Sequence, residues 1–157
     1  MDLPKTALLF IVAVLAGCTS FSSIAPGTPA DRVQARVGDP GMVWKNPDGS
    51  ELWEYALGPN GFETYMVTIG PDHAVQEVHQ VLTDEYFFKV HFGMDRDRVR
   101  RLLGKPKEVL MNPLRDEETW TWRYQDLHVH NMLFNAVFDH TVGKVKRTYG
   151  FEELVPG

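Results

Sequence analysis

An α+β fold of two tandem repeats, each a short helix or helical hairpin followed by a three- or four-stranded antiparallel sheet, is predicted for this 157-residue chain by three observations. The first is internal repetition. Asp31-Arg32-Val33-Gln34-Ala35-Arg36-Val37-Gly38-Asp39-Pro40 returns as Asp97-Arg98-Val99-Arg100-Arg101-Leu102-Leu103-Gly104-Lys105-Pro106, at a constant offset of 66 (97 minus 31). The second is that both segments read as short helices closed by glycine and then proline. The third is that the residues after each helix alternate apolar and polar with period two, the mark of a strand with one buried face.

The first repeat is assigned to residues 28–82 and the second to 83–157. In the first, Thr28 is placed as the N-cap, Pro29 at the first helical position and Asp31 in the first turn. Gly38 is expected to supply a left-handed C-terminal cap, and Pro40 blocks continuation. Met42 to Lys45 and Glu51 to Leu57 flank the turn Asn46-Pro47-Asp48-Gly49, and Pro59-Asn60-Gly61 makes the next turn. Tyr65, Val67 and Ile69 then point one way. For the last element, Ala74 to Val81, the valines at 75, 78 and 81 also fit a helix. Its counterpart, Lys144 to Phe151, alternates cleanly, so a strand is predicted for both.

Between the repeats, Thr83-Asp84-Glu85-Tyr86-Phe87-Phe88 carries a capping residue, two acids and three rings, and is expected to form one helical turn that docks by its aromatics. In the second repeat Asp95 caps a helix whose apolar stripe is Val99, Leu102 and Leu103, ended by Gly104. The register persists to Asn112-Pro113 and then shifts by three, so that Trp53-Glu54-Tyr55 matches Trp122-Arg123-Tyr124. A small turn insertion at 114–118 accounts for the shift. Phe134, Ala136 and Phe138 share one strand face. Helices this short are not stable alone in water, so the sheets must hold them.

The N-terminus carries a separate signal. Lys5 precedes an unbroken apolar run from Ala7 to Ala16, and Leu15-Ala16-Gly17-Cys18 has the small residues that lipoprotein signal peptidase requires before a cysteine. Residues 1–17 are read as a lipoprotein signal peptide and Cys18 as the lipid attachment site. Residues 18–27 are read as a lipidated tether, whose stretch from Thr19 to Gly27 spans at most about 30 Å when extended. A spanning helix needs roughly 20 apolar residues, and the chain turns polar at Thr19. Thr19 stands where an aspartate would retain a lipoprotein at the inner membrane, so the expected location is the periplasmic face of the outer membrane. Cys18 is the chain's one cysteine, and its alkylation leaves no thiol for a disulfide, a nucleophile or a metal.

Composition narrows function further. Sixteen Lys plus Arg against twenty-one Asp plus Glu give a net charge of -5, a poor match to nucleic acid. The sequence has no Gly-x-Ser-x-Gly elbow, phosphate-cradling glycine loop or His-Glu-x-x-His pair, so neither an enzyme nor a cofactor or small-molecule substrate is expected. His128 and His130, two apart on one strand face, could meet His140 and Asp139 in a zinc-like set, but that spacing is common in strands and no metal is assigned. Arg96, Arg98, Arg100, Arg101, Lys105 and Lys107 concentrate positive charge. Of these, Arg96, Arg100, Arg101 and Lys105 are candidates for contact with an acidic partner or anionic headgroups. Asp97 and Arg101 form the i,i+4 pair of an ordinary solvated helix face. Trp44, Trp53, Trp120 and Trp122 could form a binding platform, yet Trp120 and Trp122 share a strand face, and core is the expected place for most of them.

Phe92-Gly93-Met94-Asp95, then Val99, Leu103-Gly104-Lys105-Pro106 and Trp120-Thr121-Trp122, resembles the SmpA/OmlA (BamE-like) family of outer-membrane assembly lipoproteins. The first repeat follows the frame more loosely, with Gly27-Thr28 in place of Gly-Met. The resemblance implies a lipoprotein, attached through Cys18, that is accessory to the machine inserting β-barrels into the outer membrane. Members typically have one such unit, whereas this chain has two. That plan is similar to the tandem-repeat β-lactamase inhibitor proteins and implies an alternative role, an inhibitor or binding module for a soluble periplasmic protein.

Overall fold

The duplication extends to single hydrogen bonds in the computed structural model, which describes residues 21–58 and 61–154. Gly27 N–H donates to the Val75 carbonyl and Val75 N–H to the Thr28 carbonyl, each at 2.8 Å. Gly93, Val145 and Met94 repeat that exchange at the same distance. The expected signal peptide and Cys18 lie outside the described residues, as do Pro59 and Asn60 of the expected second turn.

The first repeat comprises α1 (Ala30–Val37), β1 (Met42–Lys45), β2 (Glu51–Ala56), β3 (Thr64–Ile69) and β4 (Val75–Gln80). The second comprises α2 (Asp84–Phe87), α3 (Arg96–Leu103), β5 (Glu108–Asn112), β6 (Glu117–Gln125), β7 (Asn131–Asp139) and β8 (Val145–Glu152). Each set of four strands forms its own antiparallel meander, in the orders β1-β2-β3-β4 and β5-β6-β7-β8. The expected α+β architecture is present with four strands in each unit, and both ambiguous final segments are strands.

Strand alternation builds the layers. On one face of the first sheet Trp53, Tyr55, Val67, Ile69 and Val75 join Val33 of α1 in a single cluster. On the other, Trp44 and Met66 enter a second cluster with Val99 and Leu103 of α3 and with Trp122, Phe134, Ala136 and Phe138 of the second sheet. The layer order is therefore α1, first sheet, α3, second sheet. Helix α3 serves both sheets. Burial of Val99 and Leu103, both without exposed surface, contributes about 1.5–3 kcal/mol each.

Several local expectations are corrected. Helix α1 begins after Pro29, which caps it without a side-chain bond, while the Thr28 hydroxyl donates instead to the Ala25 carbonyl at 2.7 Å. Asp95 does cap α3, accepting from Arg98 N–H at 2.8 Å. The turn joining β5 and β6, residues 113–116, is one residue shorter than the 46–50 turn joining β1 and β2. Strand pairing sets Val43–Trp53 against Val109–Trp120, so the two hairpins differ by one residue, which lengthens the arms by the pair Asn112–Glu117, and Trp53 corresponds to Trp120 rather than to Trp122. In α2, Phe87 stacks on Phe134 at 4.3 Å and Tyr86 packs at the cluster's edge, but Phe88 points into solvent. Residues 21–27 are not free tether: Phe21 and Ile24 are buried in the first repeat's cluster.

The helix-ending glycines differ from the left-handed cap that was expected. Gly38 (φ 88°, ψ -173°) and Gly104 (φ 76°, ψ -168°) occupy the extended positive-φ region, which essentially only glycine enters. A Cβ at Gly38 would meet nothing within 4 Å, whereas one at Gly104 would lie 2.6 Å from Thr64 Cγ2. Gly38→Ala is therefore expected to lose about 1–3 kcal/mol from backbone strain alone, and Gly104→Ala distinctly more, because α3 must also move off the first sheet. Urea midpoints of the two variants test this. Equal losses would mean that the approach of α3 to Thr64 is not tight.

Candidate binding surfaces

The basic residues of α3 face inward and sideways more than outward. Arg96 donates to Glu118 at 2.6 Å and to the His140 carbonyl at 2.9 Å, both on the second sheet. Arg100 reaches the first sheet, with Nε and Nη2 each 3.3 Å from the two carboxylate oxygens of Glu54. Arg101 pairs with Asp97 at 2.8 Å, donates to Asn46 at 3.5 Å and lies 5.6 Å from the Trp44 ring centre. Three of the four cations singled out in the sequence thus join α3 to the sheets on either side, and Lys105 is exposed just beyond the helix. Glu54, which makes this join, carried no signal in the sequence beyond its place between Trp53 and Tyr55.

Where the two repeats meet, a cleft of about 560 Å³ is lined by Glu54, Tyr55, Arg100, Lys105, Lys107 and Arg123 among others. Lys107 lies 3.1 Å from Glu153 and Arg123 pairs with the same carboxylate. Burial pushes Glu153 up, but hydrogen bonds from Lys107 and Arg123 outweigh it and hold the carboxyl below its usual value. The Tyr55 hydroxyl, raised to about 12 by burial and by the nearby Asp39 charge, stays neutral. The cleft's charges are largely satisfied within the fold.

The open surface is the outer face of the second sheet, which no helix covers among the described residues. Register places Leu110, Thr119, Val137 and Arg147 in one row across it, and Glu108, Thr121, Asn135 and Tyr149 in the next. Leu110, Tyr149 and Phe151 are exposed, and the last two rings stack at 6.1 Å, tilted by 14°. Beneath them Thr121 donates to Asn135 Oδ1 at 2.7 Å. The Asn135 amide nitrogen is buried with no hydrogen-bond partner among the described residues. The alternation of Arg147 and Tyr149 was legible, but not that the described residues would leave this face without a covering layer.

Trp44, Trp53 and Trp122 are buried and Trp120 is half-buried, so the tryptophans belong to the core. His128 and His130 are not on a strand. They occupy the turn after β6, where His130 Nδ1 is 3.2 Å from Asp126. His140 lies at the other end of the nine-residue β7, about 30 Å away at strand rise, beside Glu118 at 3.3 Å. The zinc-like set is therefore not assembled.

At the edge of the open face, Glu117 sits between Arg147, 2.7 and 2.9 Å away, and Lys146 at 3.2 Å. Hydrogen bonding to Arg147 dominates and pulls its carboxyl from 4.5 to about 2. Between those two values the unfolded chain binds the proton and the folded one does not. The stabilisation is thus complete above pH 4.5 and lost as the pH falls through about 2. Glu117→Gln is expected to flatten the acid side of a stability–pH curve in that window. An unchanged slope in urea titrations would assign the loss to other carboxylates.

Fold and surfaces together define a class: a duplicated helix-on-sheet α+β protein in which the described residues leave one sheet face open. No family model matches the sequence, and no curated protein matches it significantly. Among solved structures, the chain is similar to a candidate β-lactamase inhibitor protein from Streptococcus mutans, at 13% identity and a TM-score of 0.36, covering 80% of this chain and 83% of that one. It is also similar to an extracellular SCP-domain protein from Bacillus anthracis strain Ames, at 10% identity and a TM-score of 0.33, covering 99% of this chain but 57% of the other.

Proposed function

We propose that this chain is a lipid-anchored, non-catalytic binding protein on the periplasmic face of the outer membrane, accessory to β-barrel assembly or envelope integrity. The observation that carries the binding role is the uncovered outer face of the second sheet, with Leu110, Tyr149 and Phe151 exposed on it. Aromatic side chains held rigidly on a strand provide contact area at low entropic cost and are enriched at interfaces. Anchorage at Cys18 and the barrel-assembly partner rest on Leu15-Ala16-Gly17-Cys18 and on the SmpA/OmlA-like frame of the second repeat. An anchor confines such a face to the membrane surface and raises its effective concentration for a membrane-bound partner.

The test is crosslinking in intact cells from a photoreactive residue replacing Tyr149, with mass spectrometry of the captured proteins and a Cys18→Ser control. Barrel-assembly components captured by the lipidated form and lost with Cys18→Ser are the expected result. One soluble periplasmic protein captured equally by both forms would overturn it in favour of the inhibitor-like module.

A further inference from the structure

The stretch of sequence between Cys18 and the first docked residue is far shorter than the polar run after the cysteine implies. Phe21 is 7% exposed, with its ring stacked on Tyr65 at 4.3 Å and tilted against Tyr55 at 5.1 Å. Ile24 is buried beside it, and Gly27 is tied to Val75 by a 2.8 Å hydrogen bond. Only Thr19 and Ser20 separate Cys18 from this docked turn, so the two Cα atoms are at most about 11 Å apart.

That leash leaves from a definable end of the molecule. Tyr55 and Tyr65 are cross-strand partners, one pair short of the last pair of β2 and β3, Ala56 and Thr64. The second sheet presents the corresponding end alongside: the Arg123 guanidinium is 4.4 Å from the Phe62 ring centre, and Glu153 N–H donates to the Asn131 carbonyl at 2.7 Å. Here Asp126 Oδ1 accepts from the N–H groups of both His128 and His130 at 2.8 Å. The turn so held presents Leu127, 97% exposed, and Val129 to solvent. Leu57 and Leu154 are exposed at the same end, and so is the Lys105 side chain. The opposite end lies beyond the N-terminus of α3, where Arg96 holds the His140 carbonyl. Leu114 and Val142 are exposed there.

We propose that the lipidated protein stands on the bilayer with the Leu57, Leu127, Val129 and Leu154 end against the membrane surface, its orientation set by the docking of Phe21 and Ile24. This rests on lipidation at Cys18. Acyl chains hold Cys18 at headgroup depth, and a leash of about 11 Å cannot reach around a body whose β7 alone is about 30 Å long. The aliphatic tips at that end meet the interfacial region, and Lys105 meets anionic headgroups. Leu114 and Val142, equally apolar, are held in water.

The experiment uses the full lipidated chain in phosphatidylethanolamine–phosphatidylglycerol vesicles containing a quencher lipid. Leu127→Cys and Leu114→Cys each carry an environment-sensitive fluorophore, because the alkylated Cys18 leaves the introduced thiol as the one available to label. Quenching several-fold stronger at 127 than at 114, with a blue-shifted emission at 127, is expected. A flexible Gly-Ser segment inserted after Ser20 keeps the dock, lengthens the leash and should shrink the difference. Equal quenching at both positions in protein whose mass shows the lipid overturns the orientation alone, as does a difference that the longer leash leaves unchanged. Protein without the lipid mass overturns the lipoprotein reading and the orientation together.

Discussion

Arg100→Met is expected to remove about 3–5 kcal/mol of folding stability, the usual cost of stranding a buried charge. Glu54 is 1% exposed in the middle of the first sheet. Its carboxylate oxygens accept from Nε and Nη2 of Arg100, so the variant leaves an unpaired anion between sheet and helix. The Arg100 side chain is 29% exposed, and water entering from that side places the loss toward the lower end of the range. The double variant Glu54→Leu/Arg100→Met should recover most of it, because a buried ion pair and an apolar pair of similar volume are close in net worth. Urea denaturation of the wild type, both single variants and the double variant closes the cycle. A loss below about 1 kcal/mol for Arg100→Met would mean that the site hydrates freely.

Trp122→Ala is expected to cost a similar 3–5 kcal/mol, the range for removing a buried tryptophan. Trp122 is 1% exposed, its indole N–H donates to the Gly104 carbonyl at 3.1 Å, and it belongs to the cluster that joins α3 to both sheets. With total stability of a domain usually about 5–15 kcal/mol, the variant should be marginal at best. Trp122→Phe separates the two contributions. It retains most of the ring and strands a carbonyl at the α3 terminus, for an expected loss of about 1–3 kcal/mol. Trp120→Ala, at the half-buried neighbour, should lose less than Trp122→Ala. A reversed order, read from denaturation midpoints, would place the mechanical centre of the core at Trp120 instead.

Much of the fold was legible because its signals are local. Gly38 and Gly104 end helices where the next residues cannot continue them, and Asp95 caps α3 through a carboxylate three residues from its donor. Tyr65, Val67 and Ile69 alternate because successive side chains on a strand face opposite ways. The same rule explains a gap in that reading. Met66 and Trp44, on the reverse of the first sheet, are buried too, and only the arrival of α3 from the next repeat makes that face a core.

The candidate sites were less legible. Arg96, Arg100 and Arg101 were visible as a basic run, but a run of cations has the same sequence whether it faces water or neighbouring carboxylates. Glu54 and Arg100 are 46 residues apart, and Arg96 and Glu118 are 22 apart. No periodicity connects such pairs. The docking of Phe21 and Ile24 had a faint signal, two apolar residues three apart in a serine-rich stretch.

By itself the sequence determined the two-unit α+β plan, the boundaries of most strands and the short capped helices, because turns, caps and alternation depend on neighbours in the chain. The proposal of a lipid at Cys18 rests on the sequence alone. Only the tertiary structure decided that one helix is shared by two sheets, that the described residues leave one face of the second sheet open, and that His140 lies remote from His128 and His130. It also decided that Phe21 and Ile24 are buried against the first sheet. Each of these depends on which surfaces exclude water from one another, a property of packed layers that no short stretch of residues contains.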